Sequence, residues 1–183
     1  DFERVRLRDQ REALAAAGLT NAQLALSARR LHRSRDALDD ATTRLEADAG
    51  LDGHDGAYAA LDFQVYSAAS AELRIRLLTR LLARYGGQDV PARLSKLEEL
   101  CDGLAATPNH TATLGGCIIV ADGKRLSVFR EPGREGLPEI ILRPGDCRIW
   151  DSRLAVSLGD RDGGPGEVRV AALGGPDLAT HRD

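Results

Sequence analysis

Arginine sets the chemistry available to this 183-residue chain: of its 25 basic residues only Lys96 and Lys124 are lysine. A guanidinium offers a planar fork of N–H donors that matches phosphate and carboxylate oxygens, and it keeps its charge at any accessible pH. The arginines come in stripes. Residues 1 to 35 carry eight Arg against four acids, residues 36 to 62 carry Arg44 against eight acids, and residues 63 to 96 carry six bases against two acids. A net charge of −3 hides this alternation. Arg29, Arg30, Arg33 and Arg35 in the first stripe, with Arg74, Arg80 and Arg84 in the third, are candidate contacts to nucleic-acid phosphates. Solvated helix faces with local ion pairs would give the same pattern.

Other chemistries find little support. Cys101, Cys117 and Cys147 are odd in number, widely spaced and form no C-x-x-C pair, so they read as reduced thiols in apolar surroundings. His32, His54, His110 and His181 are scattered, and none stands at metal-ligand spacing from another His or from a Cys. Phosphate-loop, dinucleotide, nucleophile-elbow and H-E-x-x-H motifs are missing from the sequence. Neighbouring carboxylates such as Asp39 and Asp40 lack an apolar setting that would shift them into acid–base use. The residues therefore describe a binding or scaffolding piece with no active site and no metal of its own.

The elements that must position the arginines are legible from periodicity. A short helix over Phe2 to Ala17 ends at Gly18, and Thr20 with Gln23 forms a capping box that starts a long helix running to Ala49. Leu24, Leu31, Leu38 and Leu45 recur every seven residues along it. The intervening seam positions Ala28, Arg35 and Thr42 are too small or too polar for a good coiled coil, which favours packing within the chain over a homodimer. Tyr58 to Tyr66 is either a turn of helix or a short extended segment entering the next element. Leu73 to Tyr85 is strongly amphipathic, with Ser67 or Ser70 as cap, and Pro91 opens a further helix that ends before Pro108. After Pro108 the period turns β-like, with runs at Thr111 to Val120, Arg125 to Arg130, Glu139 to Arg143, Cys147 to Trp150, Arg153 to Leu158 and Glu167 to Leu173. The fold class is α+β: an N-terminal helical bundle of about four helices, one of them long, over residues 1–107, followed by a small antiparallel β region over residues 108–183.

Composition agrees with an ordinary globular chain, 43% apolar and 29% charged. No run approaches the ~18 apolar residues of a membrane helix and no signal peptide is present, so a cytoplasmic location without membrane contact is expected. There is no methionine, and Asp1 reads as a cut edge of something longer.

Several segments are similar to one known family. Phe2-Glu3-Arg4-Val5-Arg6-Leu7-Arg8, the Gly18-Leu19-Thr20 break, Ser27-Ala28-Arg29-Arg30-Leu31, Thr113-Leu114-Gly115-Gly116-Cys117-Ile118-Ile119, Phe129-Arg130-Glu131 and Trp150-Asp151 carry the likeness. Together they resemble the region C-terminal to the catalytic domain of bacterial tRNA(Ile)-lysidine synthetases, also called MesJ cell-cycle proteins, in their alphaproteobacterial branch. Enzymes of that family are ATP-dependent ligases of tRNA processing. Their N-terminal ATP-pyrophosphatase domain, marked by a Ser-Gly-Gly-x-Asp-Ser loop, adenylates the wobble cytidine of a minor isoleucine tRNA, and lysine displaces AMP to give lysidine.

No such loop occurs in this sequence, so the resemblance implies that ATP and Mg²⁺ belong to a domain preceding Asp1. It also implies that these residues hold no cofactor and no catalytic group, and that they bind tRNA beside that missing domain. The family joins its halves through an Arg-Asn-x-Ile-Arg segment, which Arg4, Leu7 and Arg8 match while Val5 replaces the Asn. Arg4 and Arg8 are therefore expected at the RNA or at the ATP-binding domain. The competing expectation is a helical protein-interaction or dimerisation module with no direct RNA contact.

Overall fold

The computed structural model describes residues 14–15, 17–52, 58–88, 90–133, 136–160, 164 and 166–172. Arg4, Arg8 and most of the expected Phe2–Ala17 helix lie outside them. The chain forms two compact units, residues 1–43 and 44–183.

In the first unit, the Leu19 N–H donates to Leu14 O (2.8 Å) and the Gly18 N–H to Ala15 O (3.1 Å), closing a helix end at Gly18. The Thr20 hydroxyl then accepts from the Gln23 N–H at 3.2 Å, and helix α1 runs over Asn21–Asp48 into the second unit. No glycine or proline interrupts its 28 residues. It stops at Gly50, whose φ of +60° lets the Leu51 N–H turn back to Glu46 O at 3.1 Å.

The second unit is helix on sheet. Strand β1 (Tyr58–Asp62) enters helix α2 (Phe63–Ala68) directly, because the Asp62 carboxylate accepts from the Gln64 and Val65 N–H groups at 2.7 and 2.9 Å. Helix α3 (Ala71–Tyr85) and helix α4 (Leu94–Ala106) follow. Then come β2 (Asn109–Leu114), β3 (Cys117–Asp122) and β4 (Arg125–Arg130). They form an antiparallel sheet in the order β1-β4-β3-β2, with Ala60 opposite Ser127 and Val120 opposite Thr111. Two small antiparallel pairs complete the unit: β5 (Ile140–Leu142) with β8 (Val168–Val170), and β6 (Cys147–Trp150) with β7 (Leu154–Ser157).

Alternation along the strands sends Cys117, Ile119, Ala121, Leu126 and Val128 inward, where Leu77, Leu78, Leu81 and Tyr85 of α3 and Leu97, Leu100 and Leu104 of α4 meet them. A mixed α+β fold, with one long helix in its N-terminal part and small antiparallel sheets after it, is what the sequence led one to expect.

Of the two expectations for Tyr58 to Tyr66, the short extended segment entering the next element is the one observed, and pairing with the distant β4 makes it a strand. Several details differ from the sequence reading. Ser70 occupies the N-cap position of α3 without a side-chain hydrogen bond. Pro91 lies before α4, which starts at Leu94 after Arg93 at ψ 137°, because Ala92 packs against the core and keeps this stretch out of the helix. Thr111 to Val120 is two strands, parted by Gly115 and Gly116 at φ +58° and +74°, a pair that turns a hairpin tightly. Cys101 and Cys117 are buried as expected, but Cys147 is exposed. No described helix is long and apolar enough to cross a membrane.

Candidate functional site

The basic half of α1 presents guanidiniums to solvent. At about 100° per residue, Arg29, Arg30 and Arg33 fall within one arc of roughly 100°, away from the face that carries Leu24, Leu31 and Leu38. All three arginines are exposed, and none meets a carboxylate among the described residues. Arg35 lies beside the leucine face and reaches Asp39 at 3.6 Å with 71% of its side chain in water, a pairing that holds it only weakly. Residues 21 to 35 contain no acid at all, and of the four arginines only Arg35 reaches a carboxylate further along the helix among the described residues.

The arginines of α3 are placed differently. Arg74 is half-buried and donates to Ser67 O at 3.5 Å, while its Nε is buried with no hydrogen-bond partner. Arg76 binds Glu72 one turn earlier at 2.6 Å, and Arg80 reaches Glu46 at 3.0 Å. The Arg84 guanidinium lies 5.5 Å from the ring centre of Tyr85. Arg80 and Arg84 share a face, with Arg74 about 120° round the helix. Much of this stripe is therefore drawn into the architecture of its own unit.

The most organised polar cluster is one that charge counting passed over. At the end of β4, Arg130 grips Asp151 with both arms, Nε to Oδ2 at 2.8 Å and Nη2 to Oδ1 at 2.9 Å. Its remaining nitrogen donates to Gly116 O (3.0 Å) and Glu131 O (2.9 Å). Arg153 closes on the same carboxylate from the other side at 2.7 and 2.8 Å.

Asp151 and Arg153 side chains are each 5% exposed and Arg130 is 15% exposed, so this is a buried two-arginine, one-aspartate knot. Burial alone would raise the Asp151 carboxyl, but hydrogen bonds and charge from the two arginines outweigh it and hold the group below its ordinary value. The bond to Asp151 in turn raises Arg130. Beneath them the Cys117 thiol is pushed by burial to about 11, against the pull of both arginines, and stays protonated.

Backbone packing explains why the knot sits where it does. A Cβ on Gly86 would land on the Gly115 carbonyl, and one on Gly116 would land on the Gly86 carbonyl, so the end of α3 and the β2–β3 turn touch main chain to main chain. Gly87 lies against the Asp151 carbonyl and both arginines, with 3.0 to 3.3 Å left for any side chain. Asp151 and Ser152 themselves adopt φ +49° and +55°, uncommon for residues other than glycine. The segments around Gly115-Gly116-Cys117, Phe129-Arg130-Glu131 and Trp150-Asp151, far apart in sequence, thus meet at one point.

Catalytic chemistry is not supported by the described residues. No group of three His, Cys, Asp or Glu side chains could hold a metal ion. An apolar cavity of about 230 Å³ between α3 and the segment before α4, walled by Leu82, Val90, Pro91 and Leu97, has no titratable group among the described residues that line it. What the molecule offers is an exposed cationic helix face on one unit and a rigid, internally neutralised knot in the other.

No family model matches the chain, and no solved structure matches it significantly. Curated relatives do. A tRNA(Ile)-lysidine synthase of Methylobacterium nodulans is 38% identical over 144 residues, covering 73% of this chain and 41% of that protein. Proteins of the same name from Rickettsia bellii and Rickettsia rickettsii are 31% and 30% identical over 100 residues, 55% of this chain and 23% and 21% of theirs. The chain therefore spans less than half the length of the curated relatives it matches. Likeness over this much of the sequence, to proteins that share one name, makes the chain a member of the tRNA(Ile)-lysidine synthase family.

Proposed function

We propose that this chain is the part of a tRNA(Ile)-lysidine synthase that holds the tRNA. The ligase reaction itself, ATP-dependent attachment of lysine to the wobble cytidine of a minor isoleucine tRNA, belongs to a catalytic domain outside these residues, together with its ATP and Mg²⁺. The observation that carries the reading is the Arg29, Arg30 and Arg33 face of α1, exposed and unmatched by acids. Phosphate contacts of this kind fix the register and orientation of an RNA without reading its bases. That division suits a protein whose chemistry is done elsewhere in the same enzyme. Arg4 and Arg8 are assigned to the RNA or to the ATP-binding domain by the same family likeness. Arg35, Arg74, Arg80 and Arg84 are weaker contacts, because each already has a neighbour of its own. The setting is the cytoplasm, where tRNA is modified.

Binding to minor isoleucine tRNA and to elongator methionine tRNA, measured across a series of salt concentrations, tests this directly. Replacing Arg29, Arg30 and Arg33 with Gln is expected to reduce the slope of log affinity against log salt by about 2 to 3 for both RNAs. A wild-type chain with no salt slope, or a triple variant indistinguishable from it, would sink the proposal.

Leu24 and Leu31, 49% and 71% exposed on α1, favour a second reading in which this helix docks on another protein or on a second copy. Sedimentation decides between them. A strict monomer whose behaviour is unchanged by Leu31→Lys excludes self-association.

A further inference from the structure

The four-stranded sheet has a second face, opposite the one that α3 and α4 cover. Register places Tyr58, Phe129, Ile118 and Thr113 in one row across it, and Ser127, Val120 and Thr111 in the next, which ends at the buried Ala60 of β1. The rings of Phe129 and Tyr58 stack on each other, centroids 6.1 Å apart and planes 28° apart, and Phe129 is 40% exposed. We infer that this face is a platform on which an unpaired nucleobase of the bound RNA stacks against Phe129. The inference rests on the reading of the chain as an RNA-binding piece and adds where, and to what part of the RNA, a second contact is made.

Three observations favour a base over a protein surface. Phe129 is the one large apolar side chain exposed on the described sheet, flanked by half-buried Tyr58, Ile118 and Val120, whereas a stable protein interface buries roughly 800 Å² on each side around an apolar core. Ser127, two residues along β4 on the same face, carries a hydroxyl, and Thr111 and Thr113 add two more on β2, beyond Ile118 and Val120 of β3; such groups can pair with base edges. At the polar end of the same face stand Lys124 and Arg125. The two nearby carboxylates are turned onto backbone: Asp122 accepts from the Lys124 and Arg125 N–H groups at 2.9 and 2.7 Å, and Asp62 caps α2. Cations stay available for the phosphates that flank the stacked base. Aromatic stacking of this type tolerates any base and excludes a paired one, whose faces are already covered.

The test uses the full chain and an eight-nucleotide oligoadenylate carrying one 2-aminopurine, alone and in a duplex. Single-stranded RNA is expected to lose 2-aminopurine fluorescence on binding, and the duplex is not. Phe129→Leu should weaken single-strand binding about tenfold and abolish the quench, while Phe129→Tyr restores both. Should Phe129→Leu lower the melting temperature, Ser127→Asp at the middle of the same face is expected to weaken binding as well. The Arg29, Arg30 and Arg33 triple variant should bind less tightly yet quench fully at saturation. RNA binding that depends on those arginines, with no quench and no effect of Phe129→Leu, overturns this inference and leaves the proposed function standing. No binding of any RNA by the wild type overturns both, and self-association lost in Phe129→Leu without an RNA effect would mark the face as a protein interface.

Discussion

The first half of α1 and the knot around Asp151 use the same side chain in opposite ways. On α1 the guanidiniums of Arg29, Arg30 and Arg33 stand in water with no acid in their stretch of helix. At the knot, Arg130 and Arg153 are buried on one carboxylate and their donors are consumed by Asp151, Gly116 and Glu131. A solvated arginine contributes little to folding and remains available to a phosphate. A buried, fully paired arginine is not available, and its partner's loss leaves an uncompensated charge. Arginine content alone therefore says nothing about RNA contact; what matters is whether the fold supplies an internal anion first.

Removing that anion should give the largest effect. Asp151→Ala strands two buried guanidiniums and is expected to destabilise the chain by about 3–5 kcal/mol in denaturant unfolding. The pH dependence has a definite sign. The folded Asp151 carboxyl ionises below its unfolded value of about 3.9, so its contribution is complete above that pH and is lost as pH falls through the folded value. The stability difference between wild type and Asp151→Asn should accordingly shrink on acidification; a difference that stays constant to pH 2 would contradict the ionic account.

Gly86→Ala comes next. Its φ is −83°, so no backbone preference is violated, but the new methyl meets the Gly115 carbonyl and, at 2.6 Å, the Leu82 carbonyl. A cost of about 1–3 kcal/mol in thermal or chemical unfolding is expected, since main chain on both sides must shift. The smallest effect belongs to α1: Arg29→Gln, Arg30→Gln and Arg33→Gln together should leave stability within about 0.5 kcal/mol. A large loss there would show that these charges serve the fold and erase the contrast.

Particular residues show how far the sequence could be read. Leu77, Leu78, Leu81, Leu82 and Tyr85 announce their helix because a helical face repeats within the element itself. Gly18 and Gly50 likewise mark helix ends through local geometry, and the Thr20–Gln23 bond is a local contact at its expected place. Strand β1 could not be read in this way, since its five residues become a strand only by pairing with β4, far along the chain. The start of α4 differs from the proline signal at Pro91 for a related reason: half-buried Ala92 packs against the core and Arg93 stays extended. Asp151 carries no local sign of its role, because the arginines that close on it come from β4 and from the turn before β7.

By itself the sequence determined the α+β class, the long helix, the strand-forming stretches after Pro108, the absence of familiar catalytic and metal motifs, and a family likeness that the curated relatives support. Those properties are local or additive: periodicity, caps, turns and composition act over a few residues at a time. Only the tertiary structure decided which arginines are free and which are locked, and that the glycine pairs at 86–87 and 115–116 meet the Arg130–Asp151 knot. The physical reason is that burial and ion pairing depend on what lies across the core, and a contact between residues 116, 130 and 151 has no trace in the spacing of any one segment.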